Sequence, residues 1–94
     1  MQFLAIARRR VEAFTEAEVA ELLPAEAARV RELYALGTVR AIYSRGDVPG
    51  AVVLLEAADA AEAGAVMESL PLCRAGMLEV TILPLQPYRG FAGT

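Results

Sequence analysis

Residues 51–55 read Ala-Val-Val-Leu-Leu. Successive side chains of a strand point to opposite faces, so this segment is apolar on both. Such a strand belongs inside a sheet whose two faces are both covered. That requirement restricts the folds open to the chain, because a short chain has only a few elements with which to do the covering.

The other segments can be placed around it. Gln2–Ala7 is a second apolar strand, ended by Arg8-Arg9-Arg10. Thr15 and Glu18 have capping-box spacing, and Phe14 and Val19 that of a hydrophobic staple, so a helix begins at Glu16. Pro24 is costly inside a helix but favoured at a first position. The expectation is therefore a short helix, about Glu16–Leu22, and a second one from Pro24. The second carries Ala27, Val30, Leu33 and Tyr34 on its inner stripe, has Arg29 and Glu32 outside, and ends at Gly37. Thr38–Ser44 is a strand with Val39, Ala41 and Tyr43 on one face. Arg45–Gly50 has turn composition. After the Ala51–Glu56 strand, Asp59 and Glu62 open a helix with Ala63, Val66, Met67 and Leu70 inside, and Pro71 stops it. Leu78–Leu83 is the last strand, with Leu78, Val80 and Ile82 on one face and Glu79, Thr81 and Leu83 on the other.

The order β-α-β-β-α-β is the ferredoxin-like pattern of an α+β fold, a four-stranded antiparallel sheet with the first and third strands central. Right-handed crossovers put both helices on one face. The other face then stays bare, and the same face of a second subunit is the simplest cover. Composition points the same way. A chain of 94 residues makes a single domain and buries only about 60–65% of its unfolded surface, yet 56% of its residues are hydrophobic. The surplus suits a homodimer or larger homo-oligomer. No run approaches the ~20 apolar residues of a membrane span. The first residues place charge after the apolar run, the reverse of a secretory signal. The net charge of −3 argues against nucleic acid. One cysteine, Cys73, suits a reducing cytoplasm, and the lack of histidine removes the commonest base and metal ligand. No metal and no cofactor are expected.

Leu70-Pro71-Leu72, then Leu78-Glu79-Val80, then Pro84-Leu85, together with Leu36-Gly37-Thr38-Val39-Arg40, resemble the signature of the muconolactone isomerase-like proteins. The resemblance runs from about Pro24 to Tyr88. It implies a dimeric α+β barrel, often assembled into larger rings. It also implies a cofactor-free isomerase that shifts a double bond in a small unsaturated lactone acid. The characterised isomerases tend to carry a Trp near the second strand and a His in the tail; here the tail reads Gln86-Pro87-Tyr88-Arg89-Gly90-Phe91.

Proton transfer beside a lactone carbonyl needs a base and a partner for the enolate charge. Glu79, the carboxylate inside the last strand, is the candidate base, its pKa expected to be raised by burial. Arg40 is the candidate for holding a substrate carboxylate, and Tyr43 and Tyr34 the candidate hydroxyl donors. The simpler reading of Glu79 and Arg40 is an edge ion pair, and that of the tyrosines is core packing. Cys73 reads as an inert thiol, Asp47 as a turn residue, and the arginine triplet as a solvated strand end rather than an anion site. Two other functions fit the same fold: a non-catalytic module for small-molecule binding or assembly, and a cofactor-free monooxygenase-type barrel. The tail from about residue 84 to 94, stiffened by Pro84 and Pro87, is expected to pack on a neighbouring subunit through Tyr88 and Phe91.

Overall fold

A computed structural model describes residues 1–91; residues 92–94, the end of the expected tail, lie outside the described residues. The elements in order are β1 (Gln2–Arg9), α1 (Glu16–Ala35), β2 (Val39–Ser44), β3 (Gly50–Glu56), α2 (Ala60–Glu68), α3 (Pro71–Arg74) and β4 (Leu78–Pro84), followed by a 3₁₀ turn at Arg89–Phe91. The strands form one antiparallel sheet in the order β2-β3-β1-β4, so β1 and β3 are central. No helix among the described residues is long and apolar enough to cross a membrane.

Register follows the buried rows. Phe3 pairs with Leu55, and Ala5 with both Val53 and Ile82. Phe3, Ala5, Val53 and Leu55 are almost fully enclosed beneath the helices, with Leu33, Ala63 and Met67 above them. Burying a side chain the size of Phe3 or Leu55 contributes roughly 1.5–3 kcal/mol. A slip of one residue would turn the whole row outward, so the alternation pins the register.

α1 is one continuous helix of 20 residues with Pro24 inside it, not two helices. Ala20, whose carbonyl Pro24 cannot bond, is exposed, as Pro24 is, so that carbonyl is open to water. At the N-terminus the expected box is present: Thr15 Oγ1 accepts from the Glu18 N–H (3.1 Å), and Glu18 Oε1 accepts from the Thr15 N–H (2.9 Å). Phe14 packs on the small cluster of Val19, Leu72 and Met77, as a staple should. Continuity changes the phase of the helix. Ala27 and Tyr34 are exposed; the inward row is Val19, Leu22, Glu26, Val30 and Leu33. Arg29, expected outside, is partly buried and donates from Nε to Ser69 Oγ at 3.1 Å, with Nη1 on Glu32. Gly37 follows the helix with φ +80°, where its lack of a Cβ is needed.

Three further details differ from expectation. Arg8 and Arg9 lie within β1 rather than beyond its end. A β-bulge between Val39 and Ala41 shifts the phase of β2, so Val39 stays beneath the helices with Leu55 while Ala41 and Tyr43 turn to the other face with Leu54 and Val52. Pro71 does not only stop α2. It takes the first position of α3, a single turn whose N-cap is Leu70.

Candidate functional site

A cavity of about 220 Å³ lies between the helices and the helix-facing side of the sheet. α1 contributes Leu23, Glu26 and Val30, and α3 contributes Leu72. From the sheet come Arg9, Ile42, Ser44, Gly50, Ala51 and Leu78. Leu23, Ile42 and Ser44 are exposed and mark the mouth; Leu72 is buried and marks the inner end. The wall is therefore mostly apolar, with one carboxylate, one guanidinium and one hydroxyl.

Glu26 reaches the inner end because it occupies a core position of α1, one turn after Leu22 and one turn before Val30. Its Oε1 accepts from the Leu72 N–H at 3.0 Å. That donor is free because Leu72 stands in the first turn of α3, directly after Pro71, where backbone N–H groups have no partner in their own helix. The Leu-Pro-Leu motif thus supplies the hydrogen bond that orients the carboxylate. Burial pushes the Glu26 carboxyl above the usual carboxylate range, and the Leu72 N–H pulls it part of the way back. A carboxyl of this kind is a better proton acceptor than an ordinary surface glutamate.

Arg9 continues the inward row Phe3, Ala5, Ala7 and so points under α1, opposite Leu78 of β4. The strand's period of two sends its neighbour Arg8 to the other face. There Arg8 bonds Glu12 at 3.1 and 3.2 Å and Glu79 at 3.5 Å. Arg10 donates to the Gly76 carbonyl at 3.0 Å and lies over the Phe14 ring. Among the described residues Arg9 has no side-chain bond, and no ion pair joins it to Glu26. Gly50 forms part of the floor between the strands; a Cβ there would lie 2.1 Å from the Ala7 carbonyl oxygen.

The residues singled out from the sequence lie elsewhere. Glu79 is on the sheet face away from the helices, its side chain 67% exposed and paired with Arg8. The expected burial of Glu79 is absent in the single chain because the row Glu79, Thr81, Leu83 has no helix over it. Arg40 is exposed at the opposite sheet edge, with Nε on the Gly37 carbonyl at 2.7 Å. An edge ion pair between Arg40 and Glu79 is therefore excluded within one chain, since β3 and β1 stand between their strands. Tyr43 is exposed on the helix-free face and Tyr34 is exposed on α1; neither packs in the core. Cys73 is buried and its thiol is pushed up to about 12 by burial, then by the charges of Glu26 and Glu68, so it stays protonated. Asp47 is held down at about 2 by the Arg45 guanidinium, as part of the turn. Among the described residues no three His, Cys, Asp or Glu side chains cluster as metal ligands would.

Glu26 and Arg9 escaped the sequence reading for definite reasons. Breaking the helix at Pro24 put Glu26 out of phase with Leu22. Ending β1 at Ala7 made Arg9 one of three equivalent charges. Continuing both periodicities by a few residues would have placed each on an apolar row.

No curated protein matches the chain significantly. Among solved structures, 5-chloro-2-hydroxyhydroquinone dehydrochlorinase from Burkholderia phenoliruptrix, in complex with 2,5-dihydroxybenzoquinone, superposes with a TM-score of 0.76 at 18% identity, over 96% of this chain and 98% of that one. At that identity the likeness shows a shared fold. The muconolactone delta-isomerase family model matches residues 1–90. Together with the ferredoxin-like sheet, this shows that the chain belongs to the muconolactone delta-isomerase family.

Proposed function

We propose that the protein is a cofactor-free isomerase of a small unsaturated lactone or acid, and that Glu26 is the group that moves the proton. The observation that carries this reading is a half-buried carboxylate, oriented by a backbone N–H, at the inner end of an apolar cavity. A C–H conjugated with a lactone carbonyl is acidic because its conjugate base is an extended enolate. Glu26 would take that proton, and the electron pair would delocalise onto the carbonyl oxygen. The same carboxyl would return the proton to another carbon of the conjugated system. The double bond moves, and no atom or electron is gained or lost. Ser44 is the hydroxyl in the wall that can donate to the enolate oxygen. A binding module without chemistry would need no carboxylate in an apolar wall, where desolvation makes it costly.

The sheet face away from the helices carries Leu4, Ile6, Val52 and Leu54, flanked by Tyr43 and Leu83. Its proposed cover is the same face of a second copy. Glu79 and Tyr43 lie on that face and would sit at the contact between copies, while Arg40 and Tyr34 lie outside the cavity. The tail would extend the contact through Tyr88 and Phe91, which stack edge to face with centroids 5.0 Å apart. A cytoplasmic location is proposed from cysteine usage alone.

The test is turnover of muconolactone, followed by loss of the conjugated-ester absorbance, in wild type, Glu26→Gln and Glu79→Gln. Glu26→Gln is expected to lower kcat by about 10²–10⁴-fold, the usual worth of a general base. Glu79→Gln is expected to change it less than tenfold. A large loss in Glu79→Gln with Glu26→Gln active would move the base to the helix-free face.

A further inference from the structure

We propose that Arg9 is the anion anchor of this cavity. Its guanidinium holds a carboxylate of the ligand from the sheet side while Glu26 faces the reacting carbon from the helix side. The inference takes the cavity as the site, as above, and adds the substrate class: small acids whose carboxylate is separated from the acidic C–H by the width between sheet and helix.

Three observations carry it. First, strand alternation divides the arginine triplet, and only its middle member enters the cavity. Second, the acids at this end of the sheet are engaged elsewhere. Glu12 and Glu79 bind Arg8, and Asp47 binds Arg45. Among the described residues Arg9 has no counter-ion, although it is partly buried. Third, Glu26, the carboxylate that shares the cavity with it, is turned to the Leu72 N–H instead. An opposed pair that does not close on itself leaves room for a ligand between its members. A guanidinium stays charged at any working pH and meets a carboxylate through two parallel hydrogen bonds, which fixes orientation as well as affinity. Beside the apolar wall of Leu78 and Val30, such a contact is stronger than the same contact in water.

The anchor can be tested without turnover. The probe is the saturated analogue of muconolactone, the γ-butyrolactone that bears an acetate side chain and has no double bond to move; the control is its uncharged methyl ester. Binding is measured by titration calorimetry on wild type, Arg9→Gln, Arg9→Lys and Glu26→Gln, each checked for its native circular dichroism. The acid is expected to bind Glu26→Gln at least as tightly as wild type, because a like charge is removed from the cavity, and to bind Arg9→Gln about 10- to 100-fold more weakly, the worth of a charge-assisted contact. The ester is expected to bind wild type and Arg9→Gln equally. Where Arg9→Gln does not fold, Arg9→Lys decides: it keeps the charge and loses the fork, and a weakening of about threefold or more is expected. Equal acid affinity in wild type and the folded Arg9 variant overturns the proposal. So does an ester that binds wild type as tightly as the acid, or no binding of the acid at all. Arg9-dependent binding of the acid with no turnover of muconolactone would leave the anchor standing and remove the isomerase reading instead.

Discussion

At Glu26 two influences act against each other. Desolvation favours the neutral acid, and the Leu72 N–H favours the carboxylate; burial is the larger. A carboxyl whose folded value lies above its unfolded value binds more proton in the folded state between the two. Stability is therefore highest below the unfolded value, about 4.3 for glutamate. It falls as pH rises through the window up to the raised folded value, and levels off above it. Glutamine can still accept the Leu72 N–H but never ionises. Glu26→Gln is thus expected to gain in melting temperature relative to wild type between pH 4 and pH 8, while it loses activity. Thermal unfolding followed at both pH values checks this. A difference between the two proteins that is the same at pH 4 and pH 8 would mean that Glu26 ionises as freely as it does in the unfolded chain. Glu79 shows the converse. Apolar neighbours in sequence suggested burial, but neighbours along a strand face the opposite side of the sheet and shield nothing.

The elements were largely legible, because the signals that start and stop them are local. The Thr15–Glu18 box, the Asp59 cap that accepts from the Glu62 N–H at 2.8 Å, and Gly37 after α1 each stand where a few neighbouring residues put them. Pro24 misled because its cost is also local, whereas its tolerance is not. The inward row of α1 packs on both sides of it, at Val19 and Leu22 and again at Val30 and Leu33, and the packing of a continuous helix outweighs one lost hydrogen bond. Because Pro24 is exposed, an alanine there restores the bond without disturbing the packing. Pro24→Ala is expected to stabilise the protein by about 1–3 kcal/mol, the propensity gain less the entropy that proline removes from the unfolded chain. Urea unfolding measures this, and a destabilised Pro24→Ala would show that the proline is adapted to a bend in α1. The bulge in β2 left no mark in the sequence. It depends on how β2 pairs with β3, and pairing is not a property of either strand alone.

For the whole molecule, the helix-free face is the proposed contact between copies. Val52 and Leu54 of β3, with Leu4 and Ile6 of β1, form an apolar band across the two central strands. Leu54 lies opposite the cavity side of the sheet, so a charge there would interfere with the proposed pairing and leave the cavity alone. The chain mass is 10.0 kDa. Wild type is expected to run at a multiple of this mass in light scattering, and Leu54→Asp at the mass of one chain, with native circular dichroism retained. Wild type at the mass of one chain would rule out face-to-face pairing. If the Leu54→Asp protein keeps the full assembly mass, the tail and not the sheet holds the copies together.

Through period and capping, each a matter of a few neighbouring residues, the sequence by itself determined the four strands and the two main helical regions, and their order implied the two central strands and the bare face of the sheet. The site needed the tertiary structure. The cavity forms where α1, α3 and the four strands approach one another. Which carboxylate is partly desolvated, and which arginine lines the cavity beside it, depends on contacts such as Glu26 with Leu72, 46 residues apart. Burial and charge pairing are properties of that approach, and no window along the chain contains both partners.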